Sequence, residues 1–391
     1  MSPFRHRSPP MTRVPVKPEM LRWARARGGY SLDAMAGRFP KLEDWERGER
    51  QPTLKQLEAF AKATHTPVGY FFLPDPPVEE VPIPDFRTIS NQHLGHPSPD
   101  LLETIYLCQQ RQDWYRDYAL SIREPNIEFV GSAEVSDNIV ETAARMRRAL
   151  SFTMDDQRRL PTWTDALRRF IERADASGVL VMVSGVVGNN NRRKLDPNEF
   201  RGFAMSDPVA PLVFVNGADT KAAQMFTLAH ELAHLWLGQS AVSDAQARHV
   251  PDQKTERWCN RVAAEFLVPL EQLRAESNDD ADLPSELPRL ARRFKVSSLV
   301  ILRRLHDAGR LDREAMWGAY DAELTRLRAR PKSSGGDFYL SLGARVSKRF
   351  ARAVVTSTLE GRTGFTESFR MLGFKKMATF NELTNSLGVG Y

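Results

Sequence analysis

Apolar residues recur at helical spacing along most of the chain, and the places where that rhythm breaks divide it into segments. Residues 1–15 lack the rhythm and predict a disordered leader, with Met11 a candidate start of translation. Residues 16–75 carry four short helical patterns, MLRWARARGG, SLDAMAGRF, KLEDWERGE and LKQLEAFAKAT, with Ser31 and Thr53 where N-caps belong. A Pro-rich linker follows over 76–97 (PPVEEVPIPDFR), because proline breaks helices and favours extended backbone. Long amphipathic helices return in a connector over 98–150, and TWTDALRRFIERADASG predicts a further helix ending at Gly178. The runs VLVMVSGVV and FRGFAMSDPVAPLVFVN then read as strands, separated by the turn GNNNRRK. Helices resume from Lys221 to about 325, and 326–391 forms a helical extension that opens on the linker RARPKSSGGD. This order predicts a mainly helical α+β fold with one small sheet.

Composition adds limits. With 391 residues, 41% hydrophobic and 27% charged, the chain has the make-up of a globular protein of two or three domains. Mean hydropathy is −0.44 and the N-terminus has no apolar core, so neither a membrane span nor a secretory signal is expected and the predicted location is cytoplasmic. Two cysteines far apart, Cys108 and Cys259, make neither a disulfide framework nor a Cys-x-x-Cys metal site. The net charge of +6 permits contact with nucleic acid without requiring it, because both signs are mixed along the chain.

The strongest chemical signal is FTLAHELAHLWLG, residues 226–238. His230 and His234 are four apart, so on a helix both imidazoles leave one face and can share an ion. Glu231 stands next to the first histidine, where it can act as general base toward a metal-bound water. The flanking residues are almost all apolar, and two histidines with a glutamate in a buried helix are costly unless coordinated. Satisfied core histidines are the competing reading. A catalytic zinc takes three protein ligands. The pattern HExxHxxGxxH is excluded, since Leu237 and Ser240 stand where its glycine and third histidine belong. The third ligand is then sought in or before TERWCNRVAAEFLVP: Glu256 first, Glu265 second, His249 third. Asn260 shares a helical face with Glu256 and can orient a histidine from outside the ligand set.

These joined motifs, FTLAHELAHLWL, then ERWCN, then AAEFLVP, resemble the ImmA/IrrE family of metallopeptidases over about residues 150–310. The resemblance implies a zincin-like domain over 151–325 that binds one Zn2+ through His230, His234 and Glu256. It also implies Glu231 as general base and a repressor or other regulatory protein as substrate. Candidate donors to the oxyanion are His249, Arg257 and His306. A peptide substrate is expected to add as a strand to a sheet edge at FRGFAM, a role that proline at Phe203 would disrupt.

The N-terminal segment resembles the XRE (Cro/C1-repressor-like) helix-turn-helix family, on Leu32 to Ala36 and then Trp45, Glu46, Gly48, Pro52, Leu57 and Ala61. Gly48 fits a helix C-cap and Pro52 the start of the next helix. The segment GRFPKL replaces the usual turn, and Glu43, Asp44 and Glu46 lie in the presumed recognition helix, where acids repel phosphates. Arg38, Lys41, Arg47, Arg50 and Lys55 remain to hold a DNA backbone. A helical protein-interaction module is the alternative. Two further basic stretches, ARRFKVSSLVILRRLHDAGRL and ARVSKRFARAVV, read as core packing and as a solvated or partner-facing helix.

The expected function is a regulatory zinc endopeptidase with a DNA-binding-like module, serving transcriptional, stress or toxin–antitoxin control. Its expected partners are a protein substrate and, beyond that, DNA, a cognate toxin or a second copy of the chain. The alternatives are an XRE-type repressor or antitoxin with a structural or inactive zinc site, and a scaffold in which the zinc domain only binds a partner.

Overall fold

The computed structural model describes residues 12–84, 97–243, 254–278, 280–328 and 345–389. It divides into two compact units: Met1–Pro82 with Leu94–Glu103, and Ile83–His93 with Thr104–Tyr391.

The first unit holds α1 (Pro18–Arg27), α2 (Leu32–Ala36), α3 (Leu42–Glu46), α4 (Leu54–Ala63) and a 3-10 turn over Val68–Phe72. The expected caps form. Ser31 accepts from Ala34 N, and Thr53 and Gln56 build a reciprocal capping box at the start of α4. Gly48 follows α3 with φ +79°, a left-handed turn that a side chain would strain. Pro52 lies one residue before the Thr53 cap rather than in the first turn of α4. The core is aromatic: Phe60 receives Phe39 and Trp45 edge-on, at centroid distances of 5.4 and 6.4 Å.

Charge placement in this unit differs from the sequence expectation at one residue. Glu46 is 6% exposed and takes both arms of Arg25, at 2.7 and 2.9 Å. It is a packing group of the helix pair and does not face outward. Arg38, Lys41, Arg47, Arg50 and Lys55 are all exposed. Two of them are answered by the exposed side of α3, since Arg47 pairs with Glu43 and Arg50 with Asp44.

The longer stretch of the second unit starts within α5 (Pro99–Ser121) and continues through α6 (Ile139–Ala149), α7 (Met154–Arg159) and α8 (Trp163–Ala176). The sheet follows, with β1 (Leu180–Ser184), β2 (Gly202–Met205), β3 (Leu212–Asn216) and, after α9 (Lys221–Trp236), β4 (Ala241–Ser243). Its order is β1-β3-β2-β4; β1 runs parallel to β3, and β2 runs antiparallel to both β3 and β4. Strand alternation splits the sheet into two faces. Val181, Val183, Ala204, Val213 and Val215 join the core shared with α8 and α9. Met182 and Gln112 mark the other face, where Arg111 of α5 meets Met182 Sδ at 3.3 Å and Gln112 Nε2 donates to Met205 O and Ala210 O.

The expectation that FRGFAM forms a sheet edge is overturned. Phe203 sits between Phe214 and Val242 in register, so β2 is an interior strand. The outer strand on that side is β4, and its Val242 N–H donates to Pro84 O at 2.8 Å. A proline at Phe203 would therefore break a central ladder rather than a docking edge.

The remaining helices are α10 (Lys254–Leu267), α11 (Leu270–Glu276), α12 (Leu283–Phe294), α13 (Ser298–Asp307), α14 (Arg313–Arg328), α15 (Lys348–Leu359), α16 (Phe365–Leu372) and α17 (Met377–Leu387). The basic stretch over α12 and α13 is core packing, as its spacing suggests, with Leu290, Phe294, Ile301 and Leu302 buried together. The basic stretch over α15 covers its apolar side within the chain and keeps Lys348 and Arg352 exposed. Phe350, Val354 and Val355 are buried, Arg349 donates to Tyr115 at 2.7 Å and pairs with Glu124, and Lys348 pairs with Glu172. No helix among the described residues is long and apolar enough to cross a membrane.

Candidate metal centre

Helix α9 is fixed at both ends. Thr220 accepts from Ala223 N at its start, and the buried Gln224 amide donates to Gly217 O and Asp219 O. At its end Gly131 N and Ala133 N bond to Leu235 O and Trp236 O, while Phe129 stacks on Trp236 at 4.1 Å. One side of α9 lies on β2 and β3, and α10 packs along another. That leaves no freedom for the polar residues in its middle, and His230, Glu231 and His234 are all 0% exposed.

Helix α10 brings Glu256 to the two histidines. His230 Nε2 and His234 Nε2 are 3.1 Å apart, and Glu256 reaches them at 3.2 and 2.9 Å. A tetrahedral ion with bonds of about 2.0–2.1 Å needs ligand atoms about 3.3–3.4 Å apart. Different carboxylate oxygens make the two Glu256 contacts, and one ligand atom from each of the three residues lies within 4.8 Å of the others, close enough to share one ion; the set His, His, carboxylate suits zinc among other ions. Burial alone would lower the pKa of both rings. Glu256 outweighs it at His230, which is held above the ordinary histidine value with help from Glu231 and Asn260, whereas His234 stays below. Burial would raise the Glu256 carboxyl, but the two rings hold it far below the usual carboxylate range. The trio is a charged cluster inside an apolar core, which is the electrostatic setting a cation relieves.

The other sequence candidates separate cleanly. Asn260, one turn after Glu256, lies close enough to His230 to help hold its pKa up. Glu265 pairs with the buried Arg304, and its own carbonyl accepts from Arg147, so it is held in a different cluster on α10. Arg257 is exposed on α10, and His306 caps its own loop through Nδ1 on Leu311 O at 2.8 Å, so neither is brought to the trio. His249 lies outside the described residues.

One residue of the site carries no motif. Gly202 on β2 faces α9, and a Cβ there would stand 2.6 Å from Thr227 Cγ2, 2.8 Å from Phe214 O and 3.0 Å from Glu231 Oε1. The missing side chain makes the room in which the Glu231 carboxylate sits. Gly202→Ala is expected to cost about 1–3 kcal/mol of stability through overpacking. Urea unfolding checks this, and a variant as stable as the wild type would show that β2 can move off α9.

Two packed helices beside a small mixed sheet thus bring together a buried His, His, Glu trio able to hold a metal ion. Residues 174–306 match the family model of the IrrE N-terminal-like domain, a peptidase family (M78), and residues 346–386 match a domain of unknown function, DUF8813. No curated protein matches the chain. The middle of the chain is thus similar to IrrE-type metallopeptidases, and α15 to α17 fall in the second match.

Proposed function

We propose that the chain is a zinc-dependent endopeptidase that cuts a regulatory protein, with a helix-turn-helix-like first unit that helps choose where it acts. The observation that carries this reading is the convergence of His230, His234 and Glu256 in a buried site, with Glu231 on the same turn as His230. His230, His234 and Glu256 are its ligands and Asn260 orients His230. A zinc ion held there would supply Lewis acidity toward the attacking water and the scissile carbonyl. Glu231 takes the proton from the attacking water on a carboxylate oxygen and passes it to the departing amine nitrogen. Its burial against Gly202 keeps the carboxylate in one position, which makes that proton transfer geometrically reproducible.

The decisive experiment incubates the tag-free chain, with zinc and with chelator, with the soluble protein of its host cells and maps new N-termini by mass spectrometry. A small set of zinc-dependent cuts in one or a few proteins is expected. The same peptide set with and without chelator would remove the peptidase reading.

The XRE-like pattern of the first unit supports a second reading, a DNA-binding repressor or antitoxin whose zinc site is structural. Arg38, Lys41 and Lys55 are exposed without an ion pair to α3, so a few phosphate contacts are available to this unit. A salt-dependent shift of the gene's own upstream DNA, without any cleavage, would favour it.

A further inference from the structure

On the face of the sheet away from α9 lies a recess of about 400 Å³, part of it open solvent. Ser184 and Phe214 of the sheet, Arg111 of α5, and Arg345 and Gly373 of the C-terminal segment line it together. It has room for about one or two water-sized groups. Phe214 and Ser184 alternate with the strand residues that face α9, so the sheet separates this recess from the metal-ligand trio.

The recess is cationic and has no carboxylate among its described lining residues. Arg111 is 6% exposed, yet its partners are Met371 O, at 3.0 Å from Nε, and Met182 Sδ, at 3.3 Å from Nη1. A thioether is a weak acceptor, so most of the donor capacity of this guanidinium is not matched by an anion. Arg345 repeats the pattern: its Nη1 donates to Asn189 Oδ1 at 2.6 Å, and the Asn189 amide is in turn fixed on Gly373 O at 2.8 Å. Burial pulls both guanidinium pKa values below the ordinary arginine value. Arg304, buried to a similar degree, meets the Glu265 carboxylate instead. A buried cation without a counter-charge is costly, and two lining one recess are more so.

We propose that this recess binds a small oxyanion, the carboxylate or phosphate end of a small molecule, between Arg111 and Arg345. The bound group completes the joint between the sheet, α5 and the C-terminal helices. This site stands apart from the peptidase reading, because its test reads binding and not proteolysis.

Isothermal titration of the full chain with inorganic phosphate, with sulfate and with acetate, at fixed ionic strength, tests it. One saturable site per chain is expected for at least one probe, and the preferred probe separates a phosphate source from a carboxylate source. Arg111→Met and Arg345→Gln should each weaken that binding by about tenfold to a hundredfold and leave metal content unchanged. In anion-free buffer Arg111→Met should melt no lower than wild type, because it removes a buried cation with no counter-charge. Absence of saturable binding for all three probes overturns the proposal. So does an Arg111→Met chain that melts lower yet binds as before, which would make Arg111 a strut for the Met371 carbonyl. If Arg111→Met does not fold, the half-buried Arg345 decides, and an unchanged affinity in Arg345→Gln overturns the proposal.

Discussion

Replacing Glu231 with Gln is expected to leave the chain folded, with about one zinc bound, and to lower cleavage by about a hundredfold to ten-thousandfold. Glutamine keeps the shape that fills the space over Gly202, so packing between α9 and β2 has no reason to change. It cannot hold a proton, so the transfer from water to amine loses its carrier. Glu231 lies outside the trio of His230, His234 and Glu256, so metal content should not follow activity. The check pairs metal analysis with the rate of the zinc-dependent cuts. A Glu231→Gln chain that still cuts at the wild-type rate would show that another group moves the proton. One that loses its zinc would make Glu231 a ligand rather than a base.

The second large effect concerns the ligands. Wild-type chain purified without a metal-binding tag is expected to carry about one zinc, and His234→Ala to carry essentially none. Chelator should lower the melting temperature of wild type, since a ligand at about a hundredfold over its dissociation constant contributes about 2.7 kcal/mol. His234→Ala should melt low with or without chelator. The substitution also removes one of the two rings that hold the buried Glu256 ionised. Glu256→Gln isolates that contribution, because it takes the buried charge away and should lose zinc all the same. A folded wild-type chain that takes up no zinc when supplied with it would end the peptidase reading and leave a DNA- or partner-binding regulator.

The two ends of the chain show how a pattern read in one dimension can be right in type and wrong in address. The amphipathic spacing of the stretch after Arg345 predicts a helix, and α15 is one. It packs on α16, α17 and α8, with Phe350 edge-on to Trp114 of α5, and its Lys348 pairs with Glu172, 176 positions earlier. In the first unit the sequence puts three acids along α3, but helical rotation turns only Glu43 and Asp44 outward. Glu46 meets Arg25 inside. No local signal separates those fates, since the choice depends on where α1 lies.

By itself the sequence determined the helices, their caps and the two strand runs, because periodicity, capping residues and glycine or proline breaks act within a few residues. It also placed two histidines and a glutamate on one buried helix, since a spacing of four and an apolar frame are local properties. The sequence ranked Glu256 ahead of Glu265, and the packing of α10 along α9 brings Glu256 to the histidines while Glu265 meets Arg304. The tertiary structure alone put β2 inside the sheet, opened the space at Gly202 and brought Arg111 beside Arg345. Each of those facts depends on strand order or on contacts between segments far apart in the chain, and side-chain periodicity carries no information about either.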